Sequence, residues 1–379
     1  MMASMVATRW SLRFGAALAT LAVLSLGGWT HELTDSQYID ANSAFTDTGQ
    51  TGPAPTSSAS SAAASTTRAV PPRWYSGASS ESAASGAFGR WRGEPVTIGG
   101  AWDNDNQKML RMDSLCPGGT WSSWNKPLDI AIGAIDVGKG DSWAKAAQGA
   151  YDDRWTKNLK KIKQCWGSRN PANLYIRFAH EMNLKDMPWR VKGGEEANFT
   201  KAITRYSNLR YAILPKAKIV LCPSDGTNGD LGINLHKLWP GKDARGRQVV
   251  NVYGVDTYNS WTVIHNAQEF INKLQAQQAS NEFGLELHRQ LAIAWGVPFA
   301  VCEWSGNGDP KDEGHGADIP VYYQLMNEWF RSHAGDLRNP QPGQLLYEIQ
   351  FNFESRFMLL PTKVQPKSAA EYRKLTWGA

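Results

Sequence analysis

Two glutamates close apolar runs in this chain: Leu174-Tyr-Ile-Arg-Phe-Ala-His-Glu ends on Glu181, and Val297-Pro-Phe-Ala-Val-Cys-Glu ends on Glu303. A carboxyl that follows five or six buried residues loses solvation unless something compensates, so such positions are candidates for chemistry. Two of them in one hollow, about 5 to 5.5 Å apart, suit glycoside hydrolysis with retention: one protonates the leaving oxygen and the other attacks the anomeric carbon. Each alone is equally a helix cap or an ion-pair partner at a strand end. Alternation puts Tyr175, Arg177, Ala179 and Glu181 on one strand face, with Arg177 below Glu181, where its guanidinium can hold Glu303 ionised. The same alternation turns His180 away, and a bulge at the strand end would bring it back toward a substrate.

Other polar and aromatic residues fall near the same strand ends. Gly254, Asp256 and Tyr258 share a face; the Tyr258 phenol can donate to the Glu303 carboxylate, and Asp256 can hold a sugar hydroxyl or His180. Asn183, two residues past Glu181, can orient it, bind a hydroxyl or make a turn. Trp102, Trp189, Trp261 and Trp304 offer indole faces for sugar rings, although core packing uses the same faces. Cys302, read by strict alternation, points outward into a helix layer.

The elements that must position these residues are short β-branched runs separated by helical spacing. The runs are 96–102, 129–135, 173–179, 218–222, 249–255, 297–302 and 346–351, and the helices are 143–166, 198–213, 267–278 and 319–334, with a closing helix over 368–375. Strand and helix in alternation imply right-handed crossovers and a parallel sheet. Seven strands are legible; the eighth is expected as the third, near Val137-Gly-Lys-Gly-Asp. No glycine-rich phosphate loop follows any strand, which favours a (β/α)8 TIM barrel over an open doubly wound sheet. In that barrel Glu181 and Glu303 end strands four and seven.

The 379 residues are 42% hydrophobic, which excludes a wholly disordered chain, and carry a formal net charge of +5, too mild for a nucleic-acid partner. Four cysteines without Cys-x-x-Cys spacing give no zinc site, and no metal or organic cofactor is expected. A Cys116 to Cys165 bridge suits an exported protein, but spacing does not set the pairing. Residues 1–30 have the basic-then-apolar form of an export signal, with Arg9 and Arg13 before an uncharged run. No clean Ala-x-Ala site follows, so a cleaved signal and a retained membrane anchor both fit. Residues 31–87 read as a Ser/Ala/Pro-rich disordered linker, leaving 88–379 for the barrel.

Arg177-Phe-Ala-His-Glu-Met-Asn183, Asp256-Thr-Tyr258 and Glu303, in this order, resemble the motifs of glycoside hydrolase family 26, the family of β-mannanases and relatives. The resemblance spans most of residues 88–360. It implies a retaining (β/α)8 hydrolase with Glu181 as acid/base and Glu303 as nucleophile. Two loops depart from the mannanase pattern: Leu184-Lys-Asp-Met-Pro-Trp189, and Cys222-Pro-Ser-Asp-Gly-Thr-Asn after the fifth strand. The expected function is therefore an exported retaining endo-glycosidase on a β-linked polysaccharide, an exopolysaccharide or mannan-like glycan. A catalytically silent carbohydrate-binding or export accessory protein and a transglycosylase are the rivals.

Overall fold

The computed structural model describes residues 72–378 except 227–230, 261–262, 276–283 and 312–315. The expected export signal, most of the linker and Trp261 lie outside the described residues. Eight parallel strands close into a barrel in chain order: β1 Tyr75–Ser79, β2 Ile98–Asp103, β3 Leu128–Ile132, β4 Leu174–Phe178, β5 Lys218–Leu221, β6 Val252–Asn259, β7 Phe299–Gly306 and β8 Leu345–Gln350. The helices described between and after them are α1 Glu81–Ala84, α2 Ala87–Arg92, α3 Lys108–Arg111, α4 Trp143–Ala147, α5 Asp152–Trp166, α6 Glu196–Ile213, α7 Ala267–Leu274, α8 Leu285–Ala294, α9 Pro320–His333 and α10 Pro366–Tyr372.

Strands covered on both faces read as near-continuous apolar runs, and β3, β4, β7 and β8 are buried at every position. Each long helix turns one stripe inward. In α5 that stripe is Trp155, Leu159, Ile162 and Trp166, at the three- and four-residue spacing that keeps side chains on one face. The barrel interior is filled by Ile98, Tyr175, Val220, Cys222, Val252, Ala300, Cys302, Tyr347 and Ile349. It is a packed core whose C-terminal end carries the polar groups.

The strand missing from the sequence reading is the first. β1 lies within the stretch read as linker, so the barrel begins before residue 88, and Trp102 belongs to the second strand. Tyr75-Ser-Gly-Ala-Ser has a linker's composition, yet its small residues answer a packing demand: a Cβ on Gly77 would run into the Ile98 carbonyl of β2. β1 pairs with β2 on one side and, from Tyr75 opposite Tyr347 onward, with β8 on the other. Val137–Lys139, where the third strand was expected, is one 3-10 turn. The helix expected over 143–166 is two, α4 and α5, parted at Gly149, whose φ of 92° an L side chain rarely adopts. Since the omission precedes both glutamates, their places after strand four and on strand seven stand.

Candidate active site

A cleft of about 1120 Å³ opens at the C-terminal mouth of the barrel, lined among others by Trp102, His180, Glu181, Tyr258 and Glu303. Barrels of this kind place binding groups at that face. Strand regularity fails where these residues meet it. Ala179 and Glu181 both have positive φ, 54° and 51°, so alternation ends at Phe178 and both His180 and Glu181 reach the cleft. On β7, Val301 pairs opposite Val255 but Glu303 opposite Asp256, which leaves Cys302 as an extra residue. That bulge corrects the expected orientation of Cys302: it points into the barrel, beside Tyr347, and Glu303 on the next position also faces inward.

Three donors hold Glu303. Its Oε1 accepts from Arg177 Nη1 at 2.5 Å and from the Trp102 indole N–H at 2.7 Å, and its Oε2 accepts from the Tyr258 hydroxyl at 2.8 Å. Arg177, fully buried, also reaches Asp129 at 2.5 Å and Asp256 at 3.3 Å. Burial alone would raise the Glu303 carboxyl, but the Arg177 charge and the hydrogen bonds from Arg177 and Tyr258 outweigh it and hold it below the usual carboxylate range. Glu181 is pushed the other way, to about 8, by loss of solvation first and then by the charge of Glu303, with Asp225 adding to it. One cleft thus holds one carboxyl biased toward the anion and one toward the acid. His180, 3% exposed, is kept neutral by burial and by the Arg177 charge, with its pKa lowered to about 3. Its Nδ1 has no partner among the described residues.

The remaining expected site residues separate into two groups. Trp102 and Tyr258 line the cleft. Asp256 does not: it is wholly buried beneath it, accepting from Arg177 and from the Cys222 thiol at 3.2 Å, and burial together with the charge of Glu303 holds its carboxyl well above the usual range. Its position suits a partner of Arg177 and not a holder of sugar hydroxyls. Asn183 is buried and spans the loop after β5, donating to the Ser224 and Gly226 carbonyls and accepting from the Ser224 N–H. Trp189 packs behind His180, with its indole N–H on the His180 carbonyl at 2.6 Å. Trp304, one residue past Glu303, points into the helix layer, donates to Glu348 and packs on Tyr323, Phe330 and Trp377. Neither tryptophan lines the cleft.

Some features escaped the sequence reading. Phe351 and Phe353, just past β8, join Trp102 in an aromatic wall, and Phe353 is left 58% exposed. Their alternation, Phe351-Asn-Phe353, was the available signal. Asp129, a lone charge inside the apolar strand β3, signalled the buried network around Arg177, where it also accepts from the Tyr347 hydroxyl at 2.6 Å. As for metals, the donor atoms of Cys222, Asp256 and Cys302 lie within 4.8 Å of one another among the described residues. They sit under the cleft floor, where the Arg177 guanidinium already supplies Asp256 with positive charge.

No family model matches the sequence, and no curated protein matches it. Solved structures do resemble the fold. A modular endo-β-1,4-mannanase from Cellulomonas fimi, described among glycoside hydrolase family 26 mannanases, is 13% identical with a TM-score of 0.44, covering 72% of this chain and 61% of its own. The hyperthermostable endo-1,4-β-D-mannanase from Thermotoga petrophila is 12% identical, with a TM-score of 0.47 over 80% of this chain and 100% of its own. A family 128 endo-β-1,3-glucanase from Amycolatopsis mediterranei is 12% identical, with a TM-score of 0.44 over 80% and 98%. These neighbours are glycoside hydrolases from more than one family, and at such similarity the likeness is one of fold.

Proposed function

We propose that this chain is a retaining endo-glycosidase acting on a β-linked polysaccharide, with Glu303 as nucleophile and Glu181 as acid/base. The observation that carries the reading is the opposite protonation bias of two carboxyls lining one cleft. Pairs of titratable groups pushed apart by their surroundings mark acid and base assignments. In the first step the Glu303 carboxylate bonds to the anomeric carbon as the glycosidic C–O bond breaks, and Glu181 gives its proton to the leaving oxygen. In the second, Glu181 takes a proton from water, the water oxygen bonds to the anomeric carbon, and the bond to Glu303 breaks, restoring both groups. The sequence of steps draws on no cofactor.

His180, neutral and lining the cleft, fits a hydroxyl of the bound sugar, and the wall of Trp102, Phe351 and Phe353 offers faces for sugar rings. The cleft volume lies just above the range of ordinary ligand sites, which agrees with a polymer segment. The substrate class we favour is an exopolysaccharide or a mannan-like glycan. The disulfide between Cys116 and Cys165 agrees with an exported protein facing an oxidising compartment, either released or anchored by its N-terminal segment.

The test is a panel of β-linked glycans incubated with the purified chain and read by mass spectrometry, followed by NMR of the anomer released first. Shortened products whose first anomer keeps the β configuration support the reading. Lengthened products point to transglycosylation, unchanged glycans that nonetheless bind point to a silent binding protein, and an inverted first anomer removes the double displacement.

A further inference from the structure

The hydrogen bonds on Glu303 are unequally divided between its two oxygens. Among the described residues Oε1 carries two donors, Arg177 Nη1 and the Trp102 indole, while Oε2 carries the Tyr258 hydroxyl alone. A carboxylate oxygen has two lone pairs in its plane, so Oε1 is saturated and Oε2 keeps one open. We propose that Trp102 is a positioning residue: its N–H and Arg177 together occupy Oε1 and leave the oxygen facing Tyr258 as the atom that attacks the sugar. This rests on the glycosidase reading and goes beyond stacking as the role of Trp102.

Independent features hold the indole in place. Trp102 stands on the interior face of β2, its ring meets Phe351 edge-on with centroids 5.3 Å apart, and the Arg177 guanidinium lies 5.6 Å from its centroid. An indole N–H is a donor only and neither gains nor loses a proton across the working pH range, so it can fix a carboxylate without competing for its proton. Among the described residues the charged or titratable groups that act on Glu303 are Asp129 from β3, Arg177, His180 and Glu181 from β4 and its end, and Asp256 and Tyr258 from β6. Against these, Trp102 adds a neutral donor, and removing it withdraws stabilisation from the anion alone.

Trp102→Phe keeps an aromatic face and loses the donor. In proton–nitrogen NMR the indole signal that vanishes in Trp102→Phe identifies Trp102. In the otherwise unchanged protein this signal is expected to move when Glu303→Gln is introduced and when Glu303 is protonated by acid; a signal that ignores both overturns the proposal. On a glycan that the panel shows to be cleaved, Trp102→Phe is expected to lower kcat about 10- to 100-fold, the span of one charge-assisted hydrogen bond, with KM within about threefold. The acid limb of its pH profile should move upward. A raised KM with unchanged kcat and an unmoved acid limb would mean stacking alone and sink the idea, as would a trapped glycosyl-enzyme joined through the Arg177-facing oxygen. Thermal melting of Trp102→Phe checks that it folds. If no glycan is cleaved, the glycosidase reading fails separately, and the NMR arm still decides whether the indole holds Glu303.

Discussion

Under the proposed double displacement, removing either glutamate separates the two half-reactions. Glu303→Ala takes away the atom that bonds to the anomeric carbon, so turnover of every glycoside, activated or not, should fall below detection in a steady-state assay. Glu181→Ala takes away only the proton delivered to the leaving oxygen. It should slow cleavage of unactivated bonds by about 10²- to 10⁴-fold, the usual worth of general acid catalysis, while sparing the first step for activated aryl glycosides, seen as a burst. The pH profile follows from the two biases. Activity needs Glu303 without its proton and Glu181 with it. It should therefore decline as pH rises through about 8, where Glu181 ionises, and decline on the acid side only below the ordinary carboxylate range, because Glu303 is held low. A profile of kcat/KM against pH for the free enzyme checks both limbs; a basic limb near pH 5 would contradict the acid assignment.

The elements show how local irregularity serves the site. Regular alternation can place one residue in two at a strand end; the positive φ values at Ala179 and Glu181 and the extra residue at Cys302 let adjacent residues face the same hollow. Gly254 on β6 makes room for the bulge, because a Cβ there would overlap Cys302 Sγ and lie 3.5 Å from Cys222 Sγ. Gly254→Ala should accordingly destabilise the barrel by about 1–3 kcal/mol, as overpacking does, measured by urea unfolding, with a disproportionate loss of activity as Glu303 shifts. The same irregularities explain what the sequence revealed. Arg177, Tyr258 and Glu303 were legible because each lies on a strand where periodicity shows its face, and Glu181 because it is the first carboxyl past the apolar run of β4. Cys302 was turned the wrong way because a bulge leaves no periodic trace, and neither does the loop path that takes Trp189 behind His180 or the depth at which Asp256 sits. Trp304, by contrast, follows the alternation that faces Glu303 inward and goes to the helix layer. β1 was hidden because close packing against β2 selects the same small residues that a disordered linker contains.

At the scale of the molecule, closure is the property to test. A chain beginning at residue 72 retains β1 and should melt cooperatively by circular dichroism. One beginning at residue 88 lacks it, bares the edges of β2 and β8, and should aggregate on size exclusion. The Cys116 to Cys165 bridge ties the segment after α3 to the last turn of α5 across 49 residues. Replacing both cysteines by serine should cost about 2–4 kcal/mol in urea titration while leaving the cleft working at low temperature. The ends of the described barrel meet, since the Arg73 N–H donates to the Gly378 carbonyl at 2.7 Å. A short splice between them would let the polypeptide be opened in an exposed connection elsewhere on the ring, so a circularly permuted chain with a different starting strand should assemble the same eight staves around the same two glutamates.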